Sequence, residues 1–244
     1  MSLLEVSGLS KHFGGLRAVG GFDLTVDTGE MIGLIGPNGA GKTTVFSLLS
    51  GFLAPDAGQI RFAGRSLLGL TPHEICRLGL VRTFQIVRPF PQLSVIDNVR
   101  IAALVRHPSM RDAGAAARAV VERVGLGARV AEPAAGMTLA DRKRLELARA
   151  LATEPTLLLL DEVMAGLHAT EIDAMVRLIG DIHAGGISVL LIEHNMRAVM
   201  SLSQRIVVLS FGEKISSGAP RDVAADRRVI EAYLGEEYVH PAAP

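Results

Sequence analysis

Gly36-Pro37-Asn38-Gly39-Ala40-Gly41-Lys42-Thr43-Thr44 decides how the rest of this chain is read. The short apolar run of residues 31–35 leads straight into it, and a helical pattern begins at Lys42 and stops near Gly51. Glycines let backbone N–H groups converge on a phosphate, and the start of the helix adds the positive end of its dipole. Between a strand and a helix, Gly-x-x-x-x-Gly-Lys-Thr is therefore a phosphate-binding loop. Gly36, Asn38, Gly39, Ala40, Gly41 and Thr44 form the cradle, Lys42 reaches the β- and γ-phosphates, and Thr43 offers its hydroxyl to Mg²⁺. The competing reading is an ordinary glycine-rich turn; the flanking strand and helix weigh against it.

Further along, the apolar run 157–160 ends in Asp161-Glu162. After a phosphate loop, the Asp at the end of such a strand completes the Mg²⁺ shell, and a neighbouring Glu can polarise water as a general base. Taken alone, the pair could equally be acids at a helix start. The next apolar run, 188–192, is followed at once by Glu193-His194. A lone His there is usually structural, but both strand ends face one crevice, where His194 can hydrogen-bond the γ-phosphate or the water. Gln85 reads by default as a surface glutamine.

Outward from these motifs, the first thirty or so residues alternate in short stretches (3–6 and 22–26) broken by Gly14-Gly15 and Gly20-Gly21, which predicts antiparallel strands and turns. Residues 59–62 read as another such strand. From 86 to 154 strand signals vanish and Ala/Arg-rich segments (98–105, 115–124, 141–152) predict a helical insertion. Strand–helix alternation then resumes: a strand over 156–160, and a helix over 171–184 with Ile172, Met175, Val176, Ile179 and Ile182 on one face, stopped by Gly185-Gly186. A strand over 188–192 follows, then a closing hairpin of 205–209 with 213–217. The pattern predicts an α/β core with a parallel sheet whose strands carry ligands at their carboxyl ends.

Composition excludes several classes. Lys+Arg and Asp+Glu each number 25, so no net field draws the chain to nucleic acid or anionic lipid. The run Arg142-Lys143-Arg144 reads as a solvated face. A lone Cys76 rules out an internal disulfide and reads as a small buried hydrophobe. No apolar run approaches the ~18 residues of a membrane helix, and no leader pattern opens the chain, so direct membrane insertion is not expected.

The order of these motifs resembles the ATP-binding cassettes of ABC transporters, from about residue 3 to 235. The resemblance implies a P-loop NTPase (RecA-like) core over about 1–85 and 155–220, an N-terminal antiparallel β subdomain and an inserted helical subdomain over about 86–154. These form a single domain over 1–235, and a short C-terminal helix and tail occupy 221–244. It implies an aromatic at the adenine, Phe13, within Lys11-His12-Phe13-Gly14-Gly15-Leu16-Arg17-Ala18-Val19. It gives Gln85 a place on nucleotide and Mg²⁺ and in coupling, Asp161 a place on the metal, Glu162 the role of catalytic base and His194 that of switch. The family's Leu-Ser-Gly-Gly-Gln signature aligns with Met137-Thr138-Leu139-Ala140-Asp141, where Thr138 keeps a hydroxyl while Ala140 and Asp141 replace Gly and Gln. Thr138 and Asp141 also have capping-box spacing, so Asp141 is expected to bond back to the Thr138 backbone rather than face phosphate. Val163 stands where Pro is usual, and His168 where Asp is common. ATP and Mg²⁺ are the implied cofactors, and membrane-spanning permease subunits and a second cassette, identical or homologous, the implied partners. That places the chain on the cytoplasmic face of the membrane. The opening motif and residues 229–236 look most like importers of branched-chain amino acids; lipopolysaccharide-export cassettes share a similar tail, and a soluble ABC-type ATPase is a further alternative.

Overall fold

Residues 2–84 and 88–234 are described by the computed structural model. β1 (Ser2–Phe13) and β2 (Leu16–Asp27) alternate buried and exposed side chains, the pattern of strands with one wet face. Gly14-Gly15 makes their turn as expected, but Gly20-Gly21 lies inside β2. Between Leu9↔Phe22 and Lys11↔Val19 two residues oppose one, and Gly21 takes φ 61°, so this pair absorbs a bulge and does not break the strand.

β3 (Met31–Ile35) leads through the glycine-rich loop into α1 (Lys42–Leu49). β4 (Ala57–Phe62) and β5 (Arg65–Ser66) complete an antiparallel sheet of order β2-β1-β4-β5. α2 (Pro72–Leu78) and β6 (Leu80–Arg82) follow. Neither is legible by periodicity, since one spans two turns and the other three residues.

α3 (Val95–Ala103), α4 (Met110–Arg123) and α5 (Leu139–Leu151) lie between β6 and β7 (Leu157–Asp161). α3 buries Val95, Val99 and Ala103 and α4 buries Ala113, Ala117 and Val121, at the four-residue spacing of one helix face. Both helices start earlier than the apolar pattern suggests. Ser94 and Ser109 cap them, each accepting the backbone N–H three residues on.

α6 (Ala169–Ala184), β8 (Ser188–Ile192), α7 (Met196–Leu202), β9 (Arg205–Ser210) and β10 (Glu213–Gly218) finish the core, and α8 (Pro220–Ala225) and α9 (Arg227–Leu234) close the described chain. The larger sheet runs β10-β9-β3-β8-β7-β6, parallel except for β10. Its central strands β3, β7 and β8 are buried along their whole length and apolar but for Ser188 and Asp161 at strand ends, because both faces are covered. Leu157 and Leu159 point to the layer containing α1 and the antiparallel sheet, while Leu158 and Leu160 point to the layer shared with α3–α6. With both layers filled, polar chemistry is left to the strand ends.

Candidate nucleotide site

The loop after β3 is built from backbone that only glycine permits. A Cβ on Gly36 would lie 2.1 Å from the Leu209 carbonyl oxygen, and one on Gly41 (φ 102°) 2.4 Å from that of Ala18. Lys42, 6% exposed, donates to the carbonyls of Gly36 (2.7 Å) and Pro37 (3.0 Å). Burial lowers its pKa, and the charges of Glu162 and Asp161 oppose that shift.

A cleft of about 570 Å³ gathers Phe13, Asn38, Gly39, Ala40, Gly41, Lys42, Thr43, Thr44, Glu162 and His194. Phe13 stands half-exposed at its mouth. Phe211, on the β9–β10 turn, lines the same cleft and is 89% exposed with φ 46°. A bulky residue in the left-handed region is strained. Sequence reasoning passed over Phe211, for which an aromatic directly before Gly212 between two strand patterns was the one signal.

Glu162 is also held in the left-handed region, at φ 51°. Such a residue costs roughly 1–3 kcal/mol and persists only where its surroundings over-determine it, and here they do. Its N–H donates to the Ile192 carbonyl (2.9 Å), its own carbonyl accepts from Lys143 Nζ (3.0 Å), and its carboxylate lies 3.0 Å from His194 Nε2. The side chain therefore projects into the cleft from a fixed turn. Lys143 corrects the reading of residues 142–144 as a solvated face. Arg142 is exposed, but Lys143 is only 3% exposed and reaches inward from α5.

Behind this turn Glu193 is buried, and its carboxylate accepts the Met164 N–H at 2.8 Å. Burial pushes its pKa up to about 7. A second buried acid, Glu146 on α5, accepts the N–H of Phe84, and burial raises its pKa too.

Asp161, at the end of β7, is 2% exposed and shares a neighbouring cleft of about 510 Å³ with Thr43, Arg82, Phe84, Arg88, Glu146 and Arg149. The Asp161 carboxylate and the Thr43 hydroxyl are hard oxygen donors, and together with phosphate oxygens they suit Mg²⁺. Gln85, the remaining metal candidate, lies outside the described residues.

Thr138, Ala140 and Asp141 line neither cleft. Thr138 caps α5, its hydroxyl accepting the Asp141 N–H at 3.2 Å. The expected return bond to the Thr138 backbone is replaced: the Asp141 carboxylate takes the Thr138 hydroxyl (2.9 Å) and Arg129 Nη1 (3.0 Å). Arg129, from the short turn that follows α4, is a stronger partner for a carboxylate than a neutral amide.

Comparison with known proteins yields consistent relatives. A family model described as "ABC transporter" matches residues 19–165, and one described as "Branched-chain amino acid ATP-binding cassette transporter" matches residues 213–239. The chain is 41% identical over 250 residues to the high-affinity branched-chain amino acid transport ATP-binding protein BraF of Pseudomonas aeruginosa, covering 96% of this chain and 98% of that protein. LivG of Escherichia coli K12, described in the same words, matches equally. The lipopolysaccharide export ATP-binding protein LptB of Acidithiobacillus ferridurans is 35% identical over 237 residues, 97% of this chain and 98% of that protein. Among solved structures, a nucleotide-free ATP-binding cassette from an ABC transporter superposes with TM-score 0.88 at 27% identity, covering 97% of this chain and 100% of that one.

Proposed function

Because the chain belongs to the ATP-binding cassettes of ABC transporters, we propose that it hydrolyses Mg²⁺–ATP in the cleft between residues 36–44 and Glu162–His194 and thereby drives uptake of branched-chain amino acids through membrane-spanning permease subunits. One observation carries the reading: Glu162 is fixed through its amide, carbonyl and carboxylate beside the phosphate loop and 3.0 Å from His194.

In this reading the loop amides and Lys42 hold the β- and γ-phosphates, and Phe13 stacks on the base. Glu162 takes the proton of the attacking water, with His194 orienting the carboxylate and the γ-phosphate. Thr43, Asp161 and Gln85 would hold Mg²⁺, which when bound neutralises the charge developing on the phosphates. Thr138, Ala140 and Asp141, outside their own chain's cleft, would meet nucleotide on a second cassette across a two-fold or pseudo-two-fold interface.

Among the described residues no helix is long and apolar enough to cross a membrane, so attachment to the cytoplasmic face would come through the permease. Phe52 and Phe84, half-exposed and in edge contact at 5.4 Å, offer apolar surface for that contact. Amino-acid cargo is favoured over lipopolysaccharide because residues 213–239 match the branched-chain amino acid model and identity to BraF and to the Escherichia coli LivG exceeds that to LptB.

Co-expression with candidate permease subunits tests this. The chain should co-purify with them, and ATP hydrolysis in the reconstituted complex should rise when a branched-chain amino acid and its binding protein are supplied. A complex that forms but responds only to lipopolysaccharide would move the cargo to the export class. No association with any membrane subunit would remove the transporter reading.

A further inference from the structure

Asp161 has a cation of its own. β6 ends at Arg82, next to β7 in the parallel sheet. The Arg82 side chain is 8% exposed, and its Nη2 lies 2.7 Å from Asp161 Oδ2. From the other arm of the fork, Nη1 donates to Ser47 Oγ at 3.0 Å, and Ser47 Oγ donates to the Thr43 carbonyl at 2.8 Å. The guanidinium also lies 5.8 Å from the Phe46 ring centre and 5.4 Å from that of Phe84. Arg82 thus spans from one residue assigned to the metal, Asp161, to the helical turn carrying another, Thr43. Its Nε is buried without a hydrogen-bond partner.

We propose that Arg82 is a tethered counter-ion of the metal-binding carboxylate, which Mg²⁺ must displace from Asp161 when nucleotide loads. The inference rests on the Mg²⁺ reading above. A carboxylate this buried needs a countercharge at all times. Mg²⁺ coordinates carboxylate oxygen at about 2.1 Å, so it and a guanidinium bonded to the same group would repel strongly where little water screens them. Arg82 is also incompletely satisfied, because its Nε bond is unmade, so leaving Asp161 does not break a full set of partners. Phosphate oxygens arriving beside Thr43 offer the displaced fork a new acceptor. Mg²⁺ alone would then compete poorly for Asp161, whereas Mg²⁺ arriving with nucleotide would succeed. The site would load metal and nucleotide together.

The sign of one shift decides between this role and simple support of the ligand. In full-length protein, the Mg²⁺ concentration giving half-maximal binding of a fluorescent ATP analogue is measured, with melting temperature in EDTA and in Mg²⁺–nucleotide. Arg82→Met keeps a long apolar stem between the two rings and removes the competitor. The Mg²⁺ requirement should fall at least ~5-fold, the lower range of linked binding effects. The melting temperature in EDTA should fall while the rise on adding Mg²⁺–nucleotide grows. Arg82→Lys, whose ammonium cannot fork to both Asp161 and Ser47, should shift the requirement the same way by less, and it carries the test if the Met variant does not fold. A partner that only orients a metal ligand behaves oppositely, its loss weakening metal binding by about 10–100-fold. An unchanged or higher Mg²⁺ requirement in both variants overturns the inference and leaves the metal reading intact, provided Asp161→Asn raises the requirement. Wild-type binding that ignores Mg²⁺, or an unchanged requirement in Asp161→Asn, overturns both.

Discussion

The crevice at Glu162 and the helix start at Thr138 are joined through one helix, yet their surroundings differ sharply. At Glu162 the amide, carbonyl and carboxylate are all bonded within the chain, and Lys42 and Asp161 close by are almost wholly buried. At Thr138 the cap residue is exposed, Leu139 is 45% exposed, and the Asp141 carboxylate is occupied by Thr138 and Arg129. α5 runs from the open end to the closed one, and its Lys143 holds the Glu162 carbonyl. The contrast teaches where each region's purpose lies. The crevice brings its candidate groups together within one chain, while the helix start is stable in itself and presents a partly exposed face among the described residues. Substitutions in the first should change chemistry or core energetics, and substitutions in the second should change modest stability terms and whatever depends on a partner.

The largest expected effect is on the base. Glu162→Gln keeps the turn's backbone bonds and should retain ATP–Mg²⁺ affinity while hydrolysis falls at least ~100-fold, as for loss of a general base. It should also accumulate an ATP-dependent dimer, visible by light scattering with permease and mate present. Near wild-type turnover would show that another group takes the proton, and the crevice would no longer be the self-sufficient half of the comparison.

Glu193 sets the energetic cost of that closed end. Its carboxyl titrates near 4.5 in an unfolded chain and about 7 in place, because burial disfavours the charge. Below about pH 4 it is neutral in both states and costs nothing. Between these values the unfolded chain loses the proton first, so folding stability falls as pH rises; above about 7 the full penalty of roughly 3 kcal/mol persists. Glu193→Gln can still accept from Met164, and its stability advantage over wild type should grow from near zero at about pH 4 to a plateau above about pH 7. Chemical denaturation across that range measures it. A pH-independent difference would mean that burial of charge is not what distinguishes this end. Lys42→Ala should weaken nucleotide binding about 10–100-fold, the worth of charge-assisted hydrogen bonds of roughly 1.5–3 kcal/mol. Isothermal titration reads it directly, and unchanged affinity would shift phosphate binding onto the loop amides.

Most of the crevice was legible before the structure because its parts follow one another along the chain. The phosphate loop sits between β3 and α1, Asp161-Glu162 closes an apolar run, and His194 closes the next. The surroundings of those residues were not legible, because they are set by contacts distant in sequence. Arg82 meets Asp161 across 79 positions from a strand of three residues. Lys143 sits in a run of three basic residues, and only the packing of α5 against the 162 turn decides that it is the buried one. Gly20-Gly21 reads as a break in any local scheme, and only the pairing of β1 with β2 makes it a bulge. The capping spacing of Thr138 and Asp141 was legible, whereas the choice of Arg129 as the carboxylate's second partner depended on how the turn after α4 packs beside the start of α5.

The smallest effects belong to the open helix start, and they test the contrast most finely. Thr138 caps α5 through its hydroxyl and is exposed, and on the proposed function it would meet nucleotide on a second cassette. Thr138→Ala removes the cap, worth about 1 kcal/mol, and should also slow hydrolysis in the assembled transporter. Asp141 does one thing, since its carboxylate is bonded to Thr138 and Arg129. Asp141→Ala should therefore lower stability by only a few tenths of a kcal/mol up to about 1, the range for a partly exposed ion pair near a helix N-terminus. Its turnover at saturating ATP should stay within about twofold of wild type. Thr138→Ser, which keeps the hydroxyl, should restore both stability and turnover. Melting temperature of the isolated cassette and ATPase rate of the complex, measured on all three variants, separate the roles. If Asp141→Ala leaves stability untouched but alters turnover severalfold, the carboxylate works across the interface and not on its own helix. The open end would then carry chemistry, and the division between the two regions would fail.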